Sequence, residues 1–177
     1  MQRGERPVRQ RRRRARRQPR RPRPAAQPRF TLVAAGSFPD FATGLRYEEL
    51  CQQHPAALRY VGPVQGAEKT ALFHTSHALC LPTRYPAEGQ PLVLLEALAH
   101  DLPVIASRWR AIPDTLPPES TLIAPDDPDA LTAAVRALAQ TPPPAGTLRR
   151  HFLAHYTTAI HLQALHAALT SVDHPPA

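Results

Sequence analysis

From Phe30 onward, short apolar runs alternate with stretches in which apolar residues recur every three or four positions, the pattern of helices laid on a parallel sheet. The runs at 30–35, 57–61, 77–81, 104–106 and 121–123 read as strands, the first of them buried and ending at Gly36, the second stopped by Gly62-Pro63. Between them, 41–53 reads as a helix with Leu45, Tyr47 and Leu50 on one side, 67–76 as a short helix, and 91–100 as a helix begun by Pro91. Residues 112–116 fit one turn. Asp127-Pro128-Asp129 then caps a helix over 130–140, with acids at its positive end and Leu131, Val135 and Leu138 at helical spacing. The Pro-rich breaker at 141–146 precedes a single last helix, 147–171, carrying Leu148, Phe152, Tyr156, Ile160, Leu165 and Leu169. No internal repeat is present. The order predicts an α/β, Rossmann-like parallel sheet with flanking helices over 30–171, followed by a disordered end at 172–177.

Composition separates this domain from what precedes it. Residues 1–30 hold 13 arginines and one glutamate, whereas the remainder has nine basic and 13 acidic residues. The net charge of +8 therefore describes a tail, and the folded part is mildly acidic. Residues 1–29 are Arg, Pro and Gln with too little apolar content to offset the entropy of ordering them, so they read as a disordered extension. The other reading of the tail is a polyanion-binding arm acting through residues 3–29 on nucleic acid or an anionic membrane surface. It lacks the interleaved aromatics of single-strand binders and the periodicity of an in-plane membrane helix, so no specific nucleic-acid site is expected. No apolar run approaches the length of a membrane span and no secretory leader is evident, which makes cytoplasmic residence the expectation, with peripheral contact at the inner membrane face open through the basic tail. Cys51 and Cys80 are too few for a disulfide framework or a metal site, and Cys80 reads as a small core residue.

Residues 85–106 carry the chemistry. Glu88 and Glu96 are separated by seven residues; the first falls in a loop after an apolar run, the second inside the helix that Pro91 opens. A strand thus delivers the chain to a Gly-containing loop that turns directly into a helix N-terminus. The first N–H groups there are unpaired and the helix dipole is positive, which suits an anion. Pro at the first helical position loses only an N–H that would have been unpaired. The amides of Gly89, Gln90, Leu92 and Val93 are then available to a phosphate, while Glu88 and Glu96 can accept hydrogen bonds from hydroxyls of the same ligand. A diphosphate with a sugar at each end would use all of these groups. In a parallel sheet such a ligand sits beyond the carboxyl ends of the strands.

The stretch resembles the E-x7-E motif in the C-terminal domain of GT-B fold glycosyltransferases, specifically family 4, and within it bacterial members that build capsular, exopolysaccharide or lipopolysaccharide glycans. Glu88-Gly89-Gln90-Pro91, Leu95-Glu96-Ala97 and Pro103-Val104-Ile105 carry the likeness, which extends from about Phe30 to about Leu169 through Arg59-Tyr60-Val61-Gly62, Glu68-Lys69, the segment 107–114 and the stretch 122–139. The resemblance implies retaining, metal-independent hexosyl transfer from a UDP-sugar or GDP-sugar to a glycan or lipid-linked acceptor. By the same resemblance Glu88 is the catalytic residue, holding a hydroxyl of the transferred sugar. Glu96 would hold the nucleotide ribose, and Gly89, Gln90, Leu92 and Val93 would line the donor. No metal ligand and no cofactor is implied.

The sequence also departs from that family. The first strand–helix unit, whose loop carries an Arg and a Lys that grip the diphosphate, has no counterpart, nor has the N-terminal acceptor domain, so the chain reads as an N-terminally truncated, donor-binding half. Asp101 stands where Gly is usual after the motif helix, and Arg110-Ala111 where Gly-Gly is common. Asp can partly meet the demand for a left-handed backbone. His151 and His155 have ligand spacing but no evident third ligand, and the histidines on or beside helices read as surface or interface residues. Trp109 fits either stacking on a base or packing. The segment 141–145 reads as a rigid linker. The alternative to an enzyme is a non-catalytic polyanion-associated protein acting through its Arg-rich tail.

Overall fold

The computed structural model describes residues 30–173, with side chains placed through Thr170. The expectation for the tail at 1–29 lies outside these bounds; of the end expected to be disordered at 172–177, residues 172 and 173 instead complete the last helix and 174–177 lie outside. Five strands and seven helices alternate as β1 (Leu32–Ala34), α1 (Phe41–Gln53), β2 (Leu58–Tyr60), α2 (Gly66–Thr75), β3 (Leu79–Leu81), α3 (Leu92–Ala99), β4 (Val104–Ser107), α4 (Ile112–Thr115), β5 (Thr121–Ile123), α5 (Pro128–Gln140), α6 (Thr147–His155) and α7 (Thr158–Asp173). All strand pairs are parallel. The α/β, Rossmann-like class is the observed one.

The strands form two sheets among the described residues, β1-β2 and β3-β4-β5. In a doubly wound sheet of order 3-2-1-4-5-6, a pair and a trio are what lie to either side of strand 1. The larger sheet holds the core. All four residues of β4 are buried, because β3 and β5 flank it and helices cover both faces. Alternation along β4 sends Val104 and Ala106 into a layer with Leu94, Leu98, Ile112 and Leu148, and Ile105 into a second layer with Ile123 and Ala134. Cys80 packs against the second layer, and burial pushes its thiol pKa up.

The smaller sheet is thinly covered. No residue from 30 to 90 is buried. Phe30 and Leu32, expected in a buried strand, are 41% and 48% exposed, and among the described residues β1 has a neighbour on one side only. What holds this unit together is a ring cluster: Phe38 lies 4.6 Å from Tyr60 and 5.4 Å from Tyr47, and the Tyr60 hydroxyl donates to the Gly36 carbonyl at 2.6 Å. Asp40 caps α1 by accepting from the Thr43 N–H at 2.7 Å, which lowers its carboxyl pKa.

Among the boundaries that differ from the sequence reading, three bear on how helices start and stop. Pro91 is the N-cap of α3 rather than its first residue, with ψ at 116°. Asp127 caps α5 as expected, accepting from the Ala130 N–H at 2.8 Å, but the helix begins at Pro128. The last helix is two. α6 ends at Tyr156, whose hydroxyl donates to the Thr115 carbonyl at 2.9 Å, and Thr157 restarts the chain by accepting from the Ile160 N–H at 3.3 Å. The half-buried Tyr156 ring packs against the main core layer at this break.

Asp101 joins the motif helix to α6. Its φ is 58°, the left-handed region its position demands. Its carboxylate accepts from the Leu148 and Arg149 N–H groups at 3.0 Å each and from that of Gly146, so it caps a helix whose own N-cap, Gly146, has no side chain. Arg149 returns the contact by donating to the Ala99 carbonyl. Asp101→Ala therefore loses a three-point cap and strains the backbone; we expect a loss of about 2 kcal/mol in denaturant unfolding, with Asp101→Asn losing less.

His151 reports on the same region. Burial lowers its pKa from the ordinary 6.5, helped by the neighbouring His155 and opposed by its link to Thr115 and by Glu119. Its Nε2 is enclosed with no hydrogen-bond partner among the described residues. The fold thus favours the neutral ring: the stabilisation is complete above pH 6.5 and is lost as pH falls toward the depressed value. Urea midpoints should drop between pH 7.5 and pH 5.5, and His151→Gln should flatten that slope.

Candidate functional site

The site is built where β3 ends. Past Leu81 the chain crosses the loop 82–90, which is held by a few contacts at its middle. Thr83 Oγ1 accepts from the Tyr85 N–H at 3.1 Å and donates to Glu88 Oε2 at 3.2 Å, and the Glu88 N–H donates to the Tyr85 carbonyl at 3.1 Å. Trp109, which follows β4, donates its indole N–H to the same carbonyl at 2.8 Å. Its ring packs on the main core layer, and the Arg110 guanidinium lies 5.4 Å from the ring centroid. Of the two roles open to Trp109 in the sequence, packing is the one its contacts show. Glu88 is half-buried under this arrangement, while Gly89 and Gln90 are exposed.

Pro91 then starts α3 with no capping side chain. Its ring lies buried, which fixes the helix against the core, while Leu92 is 72% exposed and Val93 half-buried. The exposed loop and first turn thus sit together at the positive end of the helix. Glu96 follows in the second turn. Lys69, from the first turn of α2, donates to Glu96 Oε1 at 2.7 Å and stands 2.6 Å from Oε2, the latter an ion-pair contact outside hydrogen-bond geometry. One turn further along both helices, Phe73 stacks on His100 with ring centroids 5.0 Å apart and planes within 11°.

Neighbouring loops close the same end of the sheet. Ser107, at the carboxyl end of β4, is 1% exposed and its hydroxyl has no partner among the described residues. Arg110 takes φ 50°, so this chain meets with an arginine the left-handed backbone that a glycine would supply freely. Arg84 pairs with Asp126, past β5, at 2.7 Å on the surface. Among the described residues no group of three or more His, Cys, Asp or Glu is placed to hold a metal ion, and His151 pairs only with His155 and Tyr156 as ring neighbours.

All six residues expected at the site, Glu88, Gly89, Gln90, Leu92, Val93 and Glu96, fall on this one loop and the helix it starts, at the carboxyl end of β3. Glu88 and Glu96 share no partner: Thr83 holds the first and Lys69 the second. Neither holder is evident from the sequence. Thr83 is one of many polar loop residues. Lys69 carried one signal, being the only lysine in the chain, but nothing in the sequence pairs it with a residue 27 positions away.

The chain is similar in sequence and fold to known proteins. The MMP alpha-(1->4)-mannosyltransferase of Mycolicibacterium hassiacum is 36% identical over 78 residues, 42% of this chain and 18% of that protein. Among solved structures, sucrose-phosphate synthase from Thermosynechococcus elongatus is 29% identical with a TM-score of 0.64, covering 80% of this chain and 39% of its own. The lipopolysaccharide outer core galactosyltransferase WaaB in its apo form, and an Anabaena HepE complex with UDP, share the fold at 19% and 17% identity. Their TM-scores are 0.66 and 0.65; each match covers 80% of this chain and 40% and 41% of theirs. The chain thus spans about two fifths of the length of the structures it matches, and less of the mannosyltransferase. A family profile described as "Glycosyl transferases group 1" matches residues 19–141, starting ahead of the resemblance read from Phe30 and ending before its limit at Leu169. With more than half its length matched, the chain belongs to the glycosyl transferases group 1 family.

Proposed function

We propose that this chain is the donor-binding half of a family 4 glycosyltransferase, a retaining, metal-independent enzyme that passes a hexose from UDP-sugar or GDP-sugar to a glycan or lipid-linked acceptor. The observation that carries the reading is the uncapped start of α3, bracketed by Glu88 in the loop and Glu96 in the second turn, beyond the carboxyl end of β3. The exposed amides of Gly89 and Gln90 and the first-turn amides of Leu92 and Val93 would take the diphosphate, since they are donors at the positive end of a helix. Glu96 would accept from the ribose. Glu88, held by Thr83, would accept from a hydroxyl of the transferred sugar and so position the reacting carbon; an interaction that tightens as the sugar–phosphate bond breaks raises kcat. The family membership and the transferase relatives support glycosyl transfer, and the HepE structure with UDP supports a nucleotide donor for this fold.

Two features support the half-enzyme reading. The match to two fifths of each solved relative leaves room for an acceptor domain, and the separation of β1-β2 from β3-β4-β5 among the described residues fits a sheet with one further strand between them. Transfer would take place on the cytoplasmic side, reaching the membrane surface when the acceptor is lipid-linked. No described helix is long and apolar enough to cross a membrane.

Isothermal titration of the full chain against UDP-glucose, UDP-galactose and GDP-mannose tests the site. At least one donor should bind, Glu96→Ala should weaken it by roughly tenfold or more, and Glu88→Gln should weaken the nucleotide sugar more than the bare nucleoside diphosphate. Silence from every donor at millimolar concentration in the unmodified chain would end the proposal. Binding that depends steeply on salt and ignores both glutamates would transfer the affinity to the Arg-rich tail.

A further inference from the structure

We infer that Lys69 is a positioning residue for the donor, holding the Glu96 carboxylate in the orientation in which Oε1 accepts from a ribose hydroxyl and thereby making the site prefer ribonucleoside diphosphates over those that lack the ribose hydroxyls. The inference rests on the reading of Glu96 as a ligand carboxylate and adds to it the group that fixes its geometry.

A glutamate on a helix surface has several rotamers of similar energy, so a free Glu96 would offer its oxygens to a ligand only part of the time. Lys69 removes that freedom by holding both oxygens with one ammonium: its Nζ donates to Oε1 at 2.7 Å and faces Oε2 at 2.6 Å. Oε2 is enclosed and has no hydrogen bond in good geometry among the described residues, so the ammonium is what offsets its charge there. Without Lys69 that oxygen would turn out toward water. The two side chains are 36% and 39% exposed, a setting in which an ion pair adds little to stability. Registering α2 on α3 does not require it either, because Phe73 packs against the core layer and stacks on His100 one turn away. What remains for this pair is orientation. Lys69 lies in the first turn of α2, which leaves the carboxyl end of β2, so it approaches Glu96 from the ligand side of the sheet.

The test compares UDP, GDP and ADP with their 2′,3′-dideoxy counterparts on the full chain by titration calorimetry. Each pair carries the same charge, so any contribution of the Arg-rich tail cancels in the ratio. The unmodified chain should favour the ribonucleotide by about tenfold, the order expected of a hydrogen bond to a charged group. Lys69→Met should bring the ratio to within about twofold of unity while leaving the dideoxy affinity and the melting temperature nearly unchanged, and Lys69→Arg should restore part of it. A ratio that survives Lys69→Met but collapses in Glu96→Gln would overturn the role of Lys69 and keep the site. Tighter ribonucleotide binding by Lys69→Met would also overturn it, by showing the ammonium to be a competitor of the ligand. If the unmodified chain binds none of the six nucleotides, both the site and the inference fall together.

Discussion

Burial of β4 on both faces is the constraint on which the rest of the described chain depends. Its four residues can lose contact with water only if β3 and β5 satisfy its backbone groups and helices cover each side. α3 and α6 lie over one face and α5 over the other, and every buried residue falls between Pro91 and Leu148. α3 is therefore fixed as a core element first. That its start also faces the open end of the sheet follows from the parallel order, which brings each helix back from the carboxyl end of the preceding strand.

A ligand site on such a helix inherits the rigidity of the core while its exposed groups stay free. Leu94, Ala97 and Leu98 bury the inner side of α3 completely, whereas Leu92 and the Gly89-Gln90 turn face outward. The loop ahead of it is tied at Tyr85 by Thr83 and Trp109, and the carboxylate in the second turn by Lys69. Both acids are thus oriented by partners from outside α3. Placing a polar constellation on a rigid element and fixing it from neighbouring elements limits the conformational freedom lost on binding.

The thin cover over β1 and β2 has the opposite consequence. With a ring cluster in place of a buried layer, the unit from Phe30 to Tyr60 lies at the low end of local stability. A two-stranded parallel sheet gains little from its own pairing, and a further layer or strand would be needed to bury its exposed Phe30 and Leu32.

Much of this was written in the order of residues. The apolar periodicity determined five strands, the helices between them and the parallel class, because strand and helix periods differ and connections in such sheets are short. The spacing of Glu88, Pro91 and Glu96 placed the candidate site on one loop and one helix for the same local reason. Tertiary structure alone decided what depends on pairs distant in sequence. Lys69 reaches Glu96, Asp101 caps α6 across 45 to 48 positions, and Tyr156 ends a helix by binding the Thr115 carbonyl. It also decided that β1 is exposed: an apolar run expresses a capacity for burial, but burial itself requires a neighbour, and whether that neighbour is present is a property of the assembled fold.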